Sequence, residues 1–165
     1  MDEHRVIALA AALVACAACG SADAQPPQAS GIAAPAGWQA LPALASAARQ
    51  GAAAGGVTVD GAEAWGEPAM GCYAVWVAMH GSGGDAPALA DQIRGGLAAA
   101  RIDVKDVTAP GADGLMALGF AKPPYAGRLR ARLGGGRIVA LACFGNGREP
   151  KACERACEGV LGALR

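Results

Sequence analysis

The chain has 165 residues, is 53% apolar and 17% charged, and balances 14 basic against 14 acidic residues for a formal net charge of zero. That length accommodates one ordinary domain with a real core, and the neutral balance argues against a general nucleic-acid binder, whose affinity rests on neutralising phosphates. Most of the apolar fraction is Ala and small aliphatics, set beside 25 Gly and only 3 Trp, 2 Tyr and 2 Phe, so each large side chain matters more for packing than usual.

The first feature along the chain is the apolar run from Val6 to Ala15. At about ten residues it is too short to span a bilayer as a helix, which takes about 20, but it suits the apolar region of a signal peptide. Asp2 and Glu3 offset Arg5, which is atypical for such a leader. The run ends in Leu13-Val14-Ala15-Cys16, which resembles the lipobox of bacterial lipoproteins. The resemblance implies cleavage before Cys16, a diacylglycerol on its thiol, and a protein held to the membrane of the cell envelope by that lipid.

Two other processing routes stay open. Cys19 lies in Ala17-Ala18-Cys19-Gly20-Ser21, with Cys16 standing where a larger apolar residue belongs. Ala22-Asp23-Ala24 fits cleavage after Ala24, which gives a soluble periplasmic or secreted protein. The leader is therefore 1–15, with 1–18 and 1–24 as alternatives. Residues 16–37 are expected to form the anchor tether and a flexible linker, and 38–165 a single domain. The small, polar, Pro-bearing stretch from Ser21 to Gly37 has no periodicity and reads as that spacer.

Trp38 opens the domain. Leu41, Leu44, Ala45 and Ala48 stand at helical spacing and predict a helix over Leu41 to Ala54, with a short strand at Val57 to Val59. Cys72 to Met79 (CYAVWVAM) is apolar on both faces and predicts a central strand in a sheet covered on both sides. After the Gly-rich segment His80 to Gly84, Asp85 is a good N-cap for a helix that continues to about Ala100. A charged strand is expected from Ile102 to Thr108, and another from Leu115 to Ala121, stopped by Pro123-Pro124. From Tyr125 to Leu133 the chain alternates, with Leu129, Ala131 and Leu133 opposite Arg128, Arg130 and Arg132. Gly134-Gly135-Gly136 turns it into a hairpin with Arg137 to Phe144. Pro150 begins a last helix carrying Cys153, Ala156, Cys157, Val160, Leu161 and Leu164 on one stripe.

This order defines an α+β domain, a mostly antiparallel sheet flanked by helices with the terminal helix tied to it by disulfides. The element order from Trp38 onward, closing on a strand and a helix, resembles the PsbP-like folds. That resemblance implies the architecture and, more generally, a binding or accessory role.

Four cysteines lie within the domain: Cys72, Cys143, Cys153 and Cys157. Export places them where disulfides persist, and the absence of a C-x₂-C pair among them argues against a zinc site. Cys143 precedes Cys153 by a short loop, which points to a Cys143–Cys153 bridge and leaves Cys72 for Cys157. His80 is the sole His beyond the leader, so His-based metal sites are not expected, and no cofactor is called for.

Function is less legible. His80, Ser82 and Asp85 fall within six residues, but a catalytic triad is assembled by tertiary geometry and not by adjacency. The stretch reads first as a strand-to-helix connection; the alternative is an extracytoplasmic, hydrolase-like enzyme using it. Residues 16–121 hold four basic and nine acidic residues, and 122–165 hold nine basic and three acidic. The cationic end centres on Arg128, Arg130, Arg132 and Arg137, which form a candidate surface for an acidic protein or polymer, with Lys122 and Tyr125 as possible extensions. Trp38, Trp65 and Trp76 are read as packing anchors. The preferred reading is a non-enzymatic envelope lipoprotein whose domain binds a partner or supports an assembly, without nucleic acid and in an oligomeric state the sequence leaves open.

Overall fold

A computed structural model describes residues 29–54, 57–81 and 84–164. The lipidation candidates Cys16 and Cys19, the Ala24 cleavage site and Ser82 lie outside the described residues.

The chain folds as an α+β domain around one antiparallel sheet. Its strands are β1 (Gln39–Ala40), β2 (Thr58–Glu67), β3 (Cys72–His80), β4 (Asp103–Thr108), β5 (Leu115–Lys122), β6 (Tyr125–Gly134) and β7 (Arg137–Gly145). They stand in the order β1-β2-β3-β7-β6-β5-β4. The helices are α1 (Pro42–Ala54), α2 (Ala86–Ala99) and α3 (Pro150–Gly162). No helix among the described residues is long and apolar enough to cross a membrane.

Strand β3 is interior, as its two-faced apolar pattern predicts, and every residue from Cys72 to Met79 is buried. Alternation along it divides the core into two layers. Tyr73, Val75, Val77 and Met79 face α1 and α2; Cys72, Ala74, Trp76 and Ala78 face α3. The few aromatic side chains divide in the same way. Tyr73, Phe120, Tyr125 and Phe144 form one cluster on the α1–α2 face, while Trp38, Trp65 and Trp76 are all buried on the α3 face. All three tryptophans therefore act as packing anchors, and Tyr125 belongs to the core, with 3% of its surface exposed, and not to the arginine patch.

Local chemistry sets several of the connections. Asp85 caps α2, its carboxylate accepting from the Ala88 N–H at 2.8 Å. The helix closes in a Schellman arrangement, with Ile102 N–H bonded to Leu97 carbonyl, Arg101 N–H to Ala98 carbonyl, and Arg101 itself at φ 56°. In the β6–β7 hairpin, Gly135 and Gly136 take φ of 59° and 73°, the two positive values a tight two-residue turn requires.

Two segments extend beyond what the pattern predicts. Strand β2 continues from Val59 to Glu67 through residues of poor strand propensity, because it pairs along its length with β3. A bulge at Asp60 lies between Val59 and Gly61. Of the stretch before Trp38, expected as spacer, the described residues from 29 onward touch the sheet layer at Ser30 and Ile32. Ser30 donates both its N–H and its hydroxyl to the Glu63 carboxylate, and Ile32 packs on the tryptophan side.

The four domain cysteines form two disulfides, Cys72–Cys153 and Cys143–Cys157, with Cα separations of 5.5 and 5.4 Å. This corrects the pairing inferred from loop length. The last helix runs back along β7, so its first turn is level with the end of that strand and not with Cys143. Cys72 is the register partner of Gly145, and Cys143 that of Ala74. Two strand residues rise by about 6.8 Å and four helical residues by about 6 Å. Cys153 thus meets Cys72, and Cys157, one turn further, meets Cys143.

Candidate functional site

The two faces of the sheet are covered unequally. Helices α1 and α2 together cover one face, and α3 with the tryptophans covers β2, β3 and β7 on the other. Beyond α3, the half made of β6, β5 and β4 is open, and a groove of about 720 Å³ runs there. Its floor is low, since of the β5 residues that line it Leu118 and Phe120 bury their side chains in the α1–α2 layer, leaving Ala117 and Gly119 on the groove face. The Lys105 stem crosses β5 at this point: a Cβ on Gly119 would lie 3.1 Å from Lys105 Cγ.

The β6 alternation holds as predicted. Leu129, Ala131 and Leu133 are buried against the α1–α2 layer, which turns Arg128, Arg130 and Arg132 to the α3 face. Tertiary structure then gives the three arginines different roles. Arg130 is half-buried, and its Nη1 donates to the Leu161 carbonyl at 3.1 Å. That carbonyl belongs to the last turn of α3, where the dipole is negative, and it also accepts from the Leu164 N–H at 3.3 Å. Arg130 therefore anchors the helix end. Arg128 is exposed in the groove, and Arg132 is exposed further along, outside it. Neither they nor Lys105 make an ion pair or side-chain hydrogen bond among the described residues.

Other expected members fall elsewhere. Arg137 lies at the far end of the sheet, with Nη2 3.7 Å from Asp60 Oδ2. Lys122 donates to the Ala100 carbonyl at 3.0 Å, tying β5 to the end of α2. The opposite wall of the groove is acidic: Glu154 and Glu158 of α3 face it, beside Cys153 and Cys157. Nothing in the sequence pattern pointed to these carboxylates, because their relation to Arg128 depends on where α3 docks.

The His80–Asp85 segment brings no catalytic set together among the described residues. Asp85 is occupied as the α2 cap, and His80 turns to the other side, with Nδ1 3.2 Å from Asp60 Oδ2. That oxygen accepts no hydrogen bond, so His80 and Arg137 meet it as electrostatic neighbours only. Asp60 reaches this place because the β2 bulge sets it beside the ends of β3 and β7. Sequence reasoning had no means to find this partner. The sulfurs of Cys72, Cys153 and Cys157 all lie within 4.8 Å of one another, and in the disulfide state described they are bonded in pairs and offer no thiolate to a metal. No protein-family model and no curated protein matches the chain.

Proposed function

We propose that this chain is an exported, non-enzymatic binding protein of the cell envelope, carried on a lipid at Cys16, whose ligand is an acidic segment of a partner protein. The observation that carries the reading is the pair Lys105 and Arg128, which stand without protein partners beside a floor of Ala117 and Gly119. Small floor residues let a ligand backbone approach the sheet, and cations in a cleft with low-dielectric walls concentrate acidic groups. Glu154 and Glu158 on the α3 wall repel the same groups. With Asp106 of β4 also bordering the groove, an acidic ligand is thereby directed to the Lys105 and Arg128 head groups in particular, a contribution to register and specificity more than to affinity. The two disulfides support the exported part of the reading, since such bonds persist in oxidising compartments.

The test uses Lys105→Glu with Arg128→Glu and leaves Arg130, which holds α3, untouched. Polyglutamate of fixed length serves as the probe. The wild-type domain should bind it with an affinity that falls as salt rises, and the double variant should lose about tenfold or more. Arg132→Glu, outside the groove, should lose far less. Equal loss in both variants, or none in the double variant, places the ligand surface elsewhere.

A further inference from the structure

The two disulfides are neighbours as well as staples. Cys153 Sγ of one lies 4.0 Å from Cys157 Sγ of the other. They differ in exposure: Cys72 is 0% and Cys143 1% exposed, Cys153 6% and Cys157 9%. Both members of Cys143–Cys157 line the groove, whereas Cys72 takes no part in it. Arg128 is the register partner of Cys143 on the adjacent strand and shares its face. Directly opposite residues of that kind have Cβ atoms about 5 Å apart. The other charged groups bordering the groove are Lys105 and Asp106 of β4, Arg130 of β6, and Glu149, Glu154 and Glu158 around α3. Among them Arg128 is the one placed across from a disulfide sulfur by strand register. A cation in that position favours a thiolate, and a thiol that ionises more readily leaves faster in exchange.

We propose that the groove is a thiol–disulfide exchange site, with Cys143–Cys157 the reactive bridge and Cys157 a relay to Cys72–Cys153. The reductant is a dithiol. Its first thiolate attacks Cys157 Sγ, the Cys143–Cys157 bond breaks, and Cys143 departs as a thiolate beside Arg128. The donor's second thiolate attacks the donor's own sulfur in the mixed disulfide, freeing Cys157 as a thiolate. The donor leaves as a disulfide, so two electrons have passed to the chain. Cys157 then attacks Cys153 Sγ across the 4.0 Å contact, Cys72 leaves as a thiolate, and a Cys153–Cys157 bond forms with no further change in electron count. One helical turn separates these two residues, about 6 Å between Cα atoms, which is inside the range a disulfide spans. Cys72, the fully buried end of the second bridge, is thus reached through a bridge whose two members both line the groove. The proposal is independent of what ligand the groove takes.

The oxidised protein is treated with one equivalent of dithiothreitol, quenched with iodoacetamide at increasing times, and mapped by mass. Label should appear first on Cys143 and Cys157, then redistribute toward Cys143 and Cys72. First labelling of Cys72 and Cys153, with Cys143–Cys157 intact, overturns the proposal; label that never reaches Cys72 overturns the relay. Arg128→Gln should slow the first reduction about threefold and alter its pH profile while leaving the unfolding midpoint unchanged. An unchanged rate and profile removes Arg128 from the mechanism.

Discussion

Replacing Phe144 by Ala removes the ring on which the other three aromatic side chains of the α1–α2 face converge. Phe144 is 1% exposed, and its centroid lies 5.7 Å from Tyr73, 6.0 Å from Tyr125 and 6.2 Å from Phe120. Truncating a buried Phe to Ala costs about 3–5 kcal/mol through lost transfer energy and the cavity left behind. Ring pairs contribute about 0.5–1.5 kcal/mol each beyond burial. Three pairs meeting at one ring put this site at the upper end, about 5 kcal/mol, a large fraction of the roughly 5–15 kcal/mol that holds a domain folded. Phe144→Leu keeps most of the volume and loses the ring contacts, so it should cost about 2 kcal/mol. Urea unfolding followed by tryptophan fluorescence suits the measurement, because Trp38, Trp65 and Trp76 all sit on the opposite face and report on the whole fold. A loss below about 2 kcal/mol for the Ala variant, or equal losses for Ala and Leu, would refute the convergence of these rings as a source of stability.

Asp85→Ala removes the acceptor for the Ala88 N–H and should lower stability by about 1 kcal/mol, read from the shift in urea midpoint. Polyglutamate binding should be unaffected, because the cap is remote from the groove; a change there would mean that α2 and the groove are coupled. The two disulfides close segments with sequence separations of 81 and 14 residues. Chain entropy then gives about 4.5 kcal/mol for Cys72–Cys153 and about 3 kcal/mol for Cys143–Cys157. Removing each pair as Ser should reproduce that order in chemical denaturation, and the reverse order would show that native packing, not loop length, governs their contribution.

Legibility followed the range of the interaction. The strand at Cys72–Met79 was evident because burial on both faces leaves an unbroken apolar run. The β6–β7 hairpin was evident because alternation and three glycines are local signatures. Helix α2 announces its start in Asp85, and α3 shows its buried stripe. By contrast, Asp60 to Glu67 has no strand signature of its own, and β3 recruits it through backbone hydrogen bonds that are indifferent to side-chain type. The ordered contacts of Ser30 depend on the Glu63 carboxylate 33 residues away, a pairing no local pattern carries.

The arginine ladder and the cysteines divide the two kinds of information most clearly. Period-two alternation alone determined that Arg128, Arg130 and Arg132 share a face, since a strand's side chains have no other choice. Composition alone supplied four cysteines in the domain. The docking of α3 decided the rest. Its height along β7 sets Cys153 against Cys72 and Cys157 against Cys143. Its last turn takes Arg130 as an anchor, and the area it leaves uncovered makes Arg128 and Lys105 the accessible cations of a groove. Side-chain periodicity is a property of the backbone a residue belongs to, and so can be read along the chain. The position of one packed layer on another is set by the sum of many contacts between distant residues, and only the folded molecule contains it.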